Sequence, residues 1–147
     1  MQKKISASLE DYLEAIYNLY IQQKPIKVTE IAKSLRVKKA SVSEACKLLS
    51  KFKLINYAPY SEISLTQEGE DIAKEIVYKH NVLNDFLQNI LGIEPKEAKE
   101  TACQIEHVIS EKLLSRLVYF VEFTKNSSCE NKNFLEEFQS FYQEKEN

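Results

Sequence analysis

Apolar residues recur along this chain mostly at three- and four-residue spacing, the helical period, broken by two short β-branched runs near position 60. Ser8 can cap a helix through about Gln22, with Leu9, Tyr12, Leu13, Ile16 and Tyr20 as its stripe. After a loop containing Pro25, Thr29 to Leu35 reads as a short helix and Arg36 to Lys38 as a turn. ASVSEACKLLSKF then opens a second helix with Val42, Ala45, Cys46 and Leu49 facing inward. Helix, tight turn and helix is the helix-turn-helix pattern. LINY and EISL, separated by Ala58-Pro59-Tyr60-Ser61, read as a hairpin, and a hairpin in that place is a wing. Thr66 caps a long helix over residues 67–90, which carries His80 and ends before Gly92. Pro95 suits the first turn of another helix, running to about Ile109. Ser110 can cap EKLLSRLVYFVEF, whose Leu113, Leu114, Leu117, Val118 and Val121 form either a dimer surface or core. TKNSSCENKN reads as a polar loop and NFLEEFQSFYQE as a final amphipathic helix. The pattern therefore predicts a mainly α chain, with a winged helix-turn-helix domain over residues 1–72 and an all-helical domain over 73–147.

Composition agrees with this picture. In 147 residues, 44% hydrophobic, there are only two Gly and three Pro, which bounds the chain to one or two helix-rich domains. MQKKISASLE has no apolar signal core and no window reaches bilayer-spanning length, so a cytoplasmic location is expected. Cys46, Cys103 and Cys129 are an odd count without paired spacing, and reduced thiols are expected rather than a disulfide framework.

Charge adds a function class. Residues 24–53 hold nine Lys/Arg against Glu30 and Glu44, a local net of +7, which leaves −9 for the remainder. A basic helix-turn-helix on an acidic body is the footprint of a DNA-binding face, although charge alone describes a solvated lysine-rich surface equally well. The outward positions of the second helix are Lys38, Lys39, Ser41, Ser43, Glu44, Lys47 and Lys51. Lysines and serines suit phosphate contacts; Glu44 either accepts from a cytosine amino group or pairs with Lys47 or Lys51. The wing tip APYSE lacks Arg and Lys.

The remaining chemistry lies outside that face. Cys103, Glu106 and His107 stand at i, i+3 and i+4, so on a helix thiolate, carboxylate and imidazole share an arc of roughly 100°. Asp11 and Glu14 form an acidic pair one turn apart, and His80 is the only other histidine. Mixed S, N and O donors suit Fe(II), Mn(II), Co(II) or Zn(II) and not a Ca(II)- or Mg(II)-type cage. The plain alternative makes Cys103 a buried small hydrophobe and the carboxylates surface charges. No HExxH or nucleophile signature is present, which argues against an enzyme.

In order and spacing, EDYLEAIY, VTEIAKSLRVKKASVSEACKLLSKFKLI, SLTQEGEDIA, VYKHNVLNDFL and ACQIEHVIS resemble the metal-dependent repressors typified by the diphtheria toxin repressor and the manganese transport regulator. The resemblance spans about residues 6–125. It implies a winged helix-turn-helix domain followed by a helical metal-binding and dimerisation domain, in the two-domain form without a C-terminal β-barrel. It also implies a homodimer that binds operator DNA when Fe(II) or Mn(II) is loaded and represses metal-uptake genes. Carried over, the metal candidates are Asp11, Glu14, His80, Cys103, Glu106 and His107. Asp11 and Glu14 look like the manganese-regulator pattern, whereas Cys103 looks like the iron-regulator pattern, so the set is a hybrid. A thiolate shifts the balance toward Fe(II), with Zn(II) or Co(II) as in vitro ligands. One ion or two remains open. Asn84 and Lys99 stand where two ligands of the iron branch's ancillary site would be, so that site is expected to be absent. The alternatives are a metal-independent winged-helix regulator and, in another class, a metalloenzyme.

Overall fold

Helix α1 (Ala7–Ile21) starts from Ser6 rather than from the expected Ser8. In the computed structural model, which describes residues 5–126 and 132–146, Ser6 is extended (φ −72°, ψ 152°) and its hydroxyl accepts from the Leu9 N–H at 3.4 Å. That choice puts Leu9 at the third helical position and leaves Ser8 inside the first turn. The buried stripe is Leu9, Leu13, Ala15, Ile16 and Leu19; Tyr20, expected inside, is exposed, and Leu19 takes its place.

Three helices in succession end without glycine. After α1, after α2 (Val28–Leu35) and after α3 (Lys39–Lys51), the left-handed residue is Gln23 (φ 54°), Arg36 (φ 55°) and Lys53 (φ 61°). Each ending is closed by a backbone bond reaching back across the last turn: Lys24 N–H to Leu19 C=O at 3.0 Å, Val37 to Ala32 at 3.1 Å, and Leu54 to Leu49 at 3.0 Å. This is the Schellman arrangement, which satisfies helix carbonyls that water would otherwise have to serve. Helices α1, α2 and α3 pack on one another around Leu13, Ile16, Ile31, Val42, Cys46 and Leu49, all buried. The four inward positions expected of α3 are buried.

The wing is shorter than the runs LINY and EISL. Strand β1 (Ile55–Asn56) pairs antiparallel with β2 (Ser64–Leu65), Ile55 opposite Leu65 and Asn56 opposite Ser64. The Ile63 N–H donates to Ile26 C=O at 2.9 Å, which ties the base of the hairpin to the loop before α2. Thr66 caps α4 (Gln67–Asp85) as expected: its hydroxyl accepts from the Gly69 N–H at 3.1 Å and lies 2.8 Å and 3.0 Å from the carbonyls of Lys53 and Leu54. Gly69 presses against the Leu54 backbone, where a Cβ would collide.

The chain divides into two compact units between Val77 and Tyr78. In the second unit α4 continues through Phe86–Ile90 in wider π-helical turns, and Gly92 (φ 68°) stops it. Helix α5 runs from Pro95 to Ile105, four residues short of the expected Ile109. The N–H groups of Val108 and Ile109 both bond the Ile105 carbonyl, at 3.0 Å and 2.9 Å, so the chain tightens into a turn there. Ser110 caps α6 (Glu111–Asn126), its hydroxyl accepting from Leu113 N–H at 3.2 Å, and α7 spans Lys132–Glu146. Leu83, Ile90, Ala98, Ala102, Leu114 and Val121 are buried, and the Phe86 and Phe120 rings meet edge-on at 6.1 Å. On α6, Leu113, Tyr119, Phe120 and Phe123 are exposed. Of the expected polar loop, residues 127–131, with Cys129, lie outside the described residues, and the remainder is helical, since α6 runs to Asn126 and α7 begins at Lys132. Among the described residues no helix is long and apolar enough to cross a membrane.

Candidate metal centre and DNA-binding face

Helix α4 carries His80 three turns in from its start, and the tightened end of α5 presents Glu106 and His107. Glu106 is the C-cap of α5, still in helical conformation (φ −56°, ψ −29°), so the i, i+3 relation to Cys103 survives the early end of the helix. Cys103, Glu106 and His107 each offer one donor atom within 4.8 Å of the others, and His80 and Glu106 meet the same limit.

Glu106 is the centre of this group. Its side chain is 1% exposed, against 12% for His80 and 10% for His107. Because a carboxylate can only accept, the His80 Nδ1–H donates to Glu106 Oε2, at 2.7 Å. The other oxygen, Oε1, has no hydrogen-bond partner among the described residues, and the nearest ring nitrogen, His107 Nε2, stands 3.7 Å away. A buried carboxylate oxygen left unpaired carries a desolvation cost that a cation in coordination distance removes. Thiol, carboxylate and imidazole in the group of Cys103, Glu106 and His107, with His80 on the other side of the same carboxylate, are donors that fit a borderline divalent ion. Asp11 and Glu14 stand one turn apart on α1, both half-buried.

Cys46 belongs to none of this. Burial pushes its thiol up to about 11, so it stays protonated in the core of the first unit. Lys79 was not singled out from sequence. It pairs with Glu111 at 2.9 Å, joining α4 to the start of α6 beside His80. The two partners are far apart in the chain, and no local signal links them.

On α3, Lys38, Lys39, Ser41, Glu44, Lys47 and Lys51 are exposed and Ser43 is half-buried. Glu44 pairs with Lys47 at 2.7 Å, the intrahelical option, and this bond raises the lysine's pKa above its ordinary value. A long lysine column on an otherwise open helix face presents point charges to phosphates.

A winged helix-turn-helix unit followed by a helical unit with a buried S/N/O donor cluster defines a transcription regulator with a metal-binding domain. The chain belongs to the iron dependent repressor family. The family's N-terminal DNA binding domain matches residues 4–63, and its metal binding and dimerisation domain matches residues 66–135. An uncharacterized HTH-type transcriptional regulator of Methanocaldococcus jannaschii is 44% identical over 124 residues, 83% of this chain and 98% of that protein. The HTH-type transcriptional regulator MntR of Bacillus subtilis is 31% identical over 126 residues, 86% and 88% of the two chains. Among solved structures, the manganese regulator SloR superposes with TM-score 0.71 at 31% identity over 78% of this chain. IdeR of T. acidophilum superposes with TM-score 0.70 at 25% identity over 82%. The chain spans about half the length of these two structures, 54% and 55%.

Proposed function

We propose that this protein is a dimeric, cytoplasmic, metal-responsive regulator that binds a two-fold operator when Fe(II) or Mn(II) is loaded and represses metal-uptake genes. The observation that carries the metal part is buried Glu106, whose Oε2 is bonded by His80 and whose Oε1, 3.7 Å from His107 Nε2, has no hydrogen-bond partner among the described residues, with Cys103 in the same donor group. The proposed ligand set is Asp11, Glu14, His80, Cys103, Glu106 and His107. Cys103 supplies the soft donor that tilts selectivity toward Fe(II) and admits Zn(II) or Co(II) in vitro. Asp11 and Glu14 enter on chemical grounds and on the family resemblance. A divalent cation supplies positive charge that offsets repulsion among the carboxylates and the thiolate.

The rest is done by the chain's own residues. Asp11 and Glu14 belong to the helix that packs on α2 and α3, so fixing their positions biases the helix-turn-helix. Lys38, Lys39, Lys47 and Lys51 hold phosphates; Ser41 and Ser43 add hydrogen bonds to the backbone. Glu44, neutralised by Lys47, is available for a cytosine amino group once the lysine turns to a phosphate. The exposed apolar residues of α6 supply a dimer surface, which sets the spacing of two recognition helices.

Operator binding followed by fluorescence anisotropy, anaerobically and with each of Fe(II), Mn(II), Zn(II) and Co(II), tests the reading. DNA affinity rises with metal, and Cys103→Ala, His107→Ala and the isosteric Glu106→Gln abolish the rise. Equal DNA binding by the chelated protein or by these variants would overturn it. That result would favour a metal-independent regulator, for which the His80–Glu106 bond is the supporting observation: it already gives both groups a structural partner.

A further inference from the structure

The wing ends in a turn that contradicts its own sequence. Ala58 C=O accepts from the Ser61 N–H at 3.1 Å, Pro59 occupies the second place, and Tyr60 in the third has φ 65°. A positive φ in the third place, after proline, is the type II combination, which ordinarily calls for glycine or asparagine there because a Cβ crowds the backbone. Tyrosine is among the bulkier residues that could stand there, and it gains nothing from packing: its relative accessibility is 108%. Backbone strain at a residue without packing contacts points to a role outside the folded chain.

The geometry points to Tyr60 as the wing's contact with DNA, resting on the proposed operator binding. The wing follows α3 directly, with Ile55 four residues beyond Lys51, and its base is held by the Ile63–Ile26 bond. The tip itself has no cation and carries Glu62, so an ionic contact of the lysine kind is not open to it. A phenol suits this setting: the hydroxyl donates to a phosphate oxygen and the ring lies against deoxyribose, with no counterion displaced by a side-chain charge. The side chain on this left-handed residue is fully exposed, and no described residue covers it.

The full-length protein in excess Mn(II) is assayed on a duplex that the wild type enriches from a random-sequence pool. Tyr60→Ala weakens binding about tenfold, and Tyr60→Phe, which keeps the ring, loses roughly threefold, the low end of what one net hydrogen bond at a solvent-exposed phosphate contributes. Neither changes the slope of log affinity against log salt, whereas Lys47→Ala lowers its magnitude by about one. Tyr60→Gly separates binding from folding: it relieves the turn and raises the melting temperature while binding DNA as weakly as Tyr60→Ala. Affinities of Tyr60→Ala and Tyr60→Gly within twofold of wild type overturn the inference, as does a salt slope that changes with the tyrosine. Chelation of the wild type tests metal gating separately, because the Tyr60 contrast is read entirely in the metal-loaded protein.

Discussion

At the scale of single residues, the chemistry turns on position 103. A cysteine among histidines and carboxylates softens the donor set, so Cys103→Glu shifts selectivity from Fe(II) and Zn(II) toward Mn(II). Competition titrations on the purified protein check this, and unchanged metal preference counts against Cys103 as a ligand. The two described thiols also differ. Cys46, buried and with its pKa raised to about 11, resists alkylation near neutral pH, while half-buried Cys103 reacts and is protected by bound metal. Peptide mapping after maleimide treatment distinguishes them. Lys53, left-handed at φ 61°, gives a stability prediction: Lys53→Gly raises stability by up to about 1 kcal/mol in thermal melts. The spacing of Cys103, Glu106 and His107 could be read from sequence. The unpaired Glu106 oxygen could not, because it depends on a histidine from another helix taking only one of the two.

At the scale of elements, most helix boundaries were legible, with misses at the start of α1 and the end of α5. Thr66, Pro95 and Ser110 announce α4, α5 and α6 through local hydrogen bonding and fixed φ. The ends of α1, α2 and α3 fall within a residue of where periodicity placed them, although Gln23, Arg36 and Lys53 stand in the left-handed place where glycine is the usual sign; that left-handed geometry is what only the backbone reveals. Two serines at the start of α1 compete as caps, and stability measurements separate them. Ser6→Ala costs about 1 kcal/mol and Ser8→Ala leaves the melt unchanged. Thr66→Val costs more, about 1–2 kcal/mol, since its hydroxyl serves the α4 cap and lies against the carbonyls of Lys53 and Leu54 in the turn after α3.

At the scale of the whole molecule, α6 of the second unit leaves four large apolar residues, Leu113, Tyr119, Phe120 and Phe123, exposed. Leu113→Glu or Phe123→Glu therefore converts the dimer to a monomer in sedimentation and weakens operator binding; a dimer that persists in both would remove α6 from the interface. The amino-acid order alone determined the helix-turn-helix with its wing, the basic segment and the shared helix face of Cys103, Glu106 and His107. These rest on local periodicity, local charge and short spacings, whereas the full set of six candidate ligands rests on the family resemblance. Tertiary structure alone decided that Glu106 is buried with one oxygen bonded to His80 and the other without a hydrogen-bond partner among the described residues. It also decided that Leu113 faces outward, and that Tyr60 stands uncovered on a strained turn. Burial and exposure depend on what other segments of the chain do with the same space, and no local pattern carries that information.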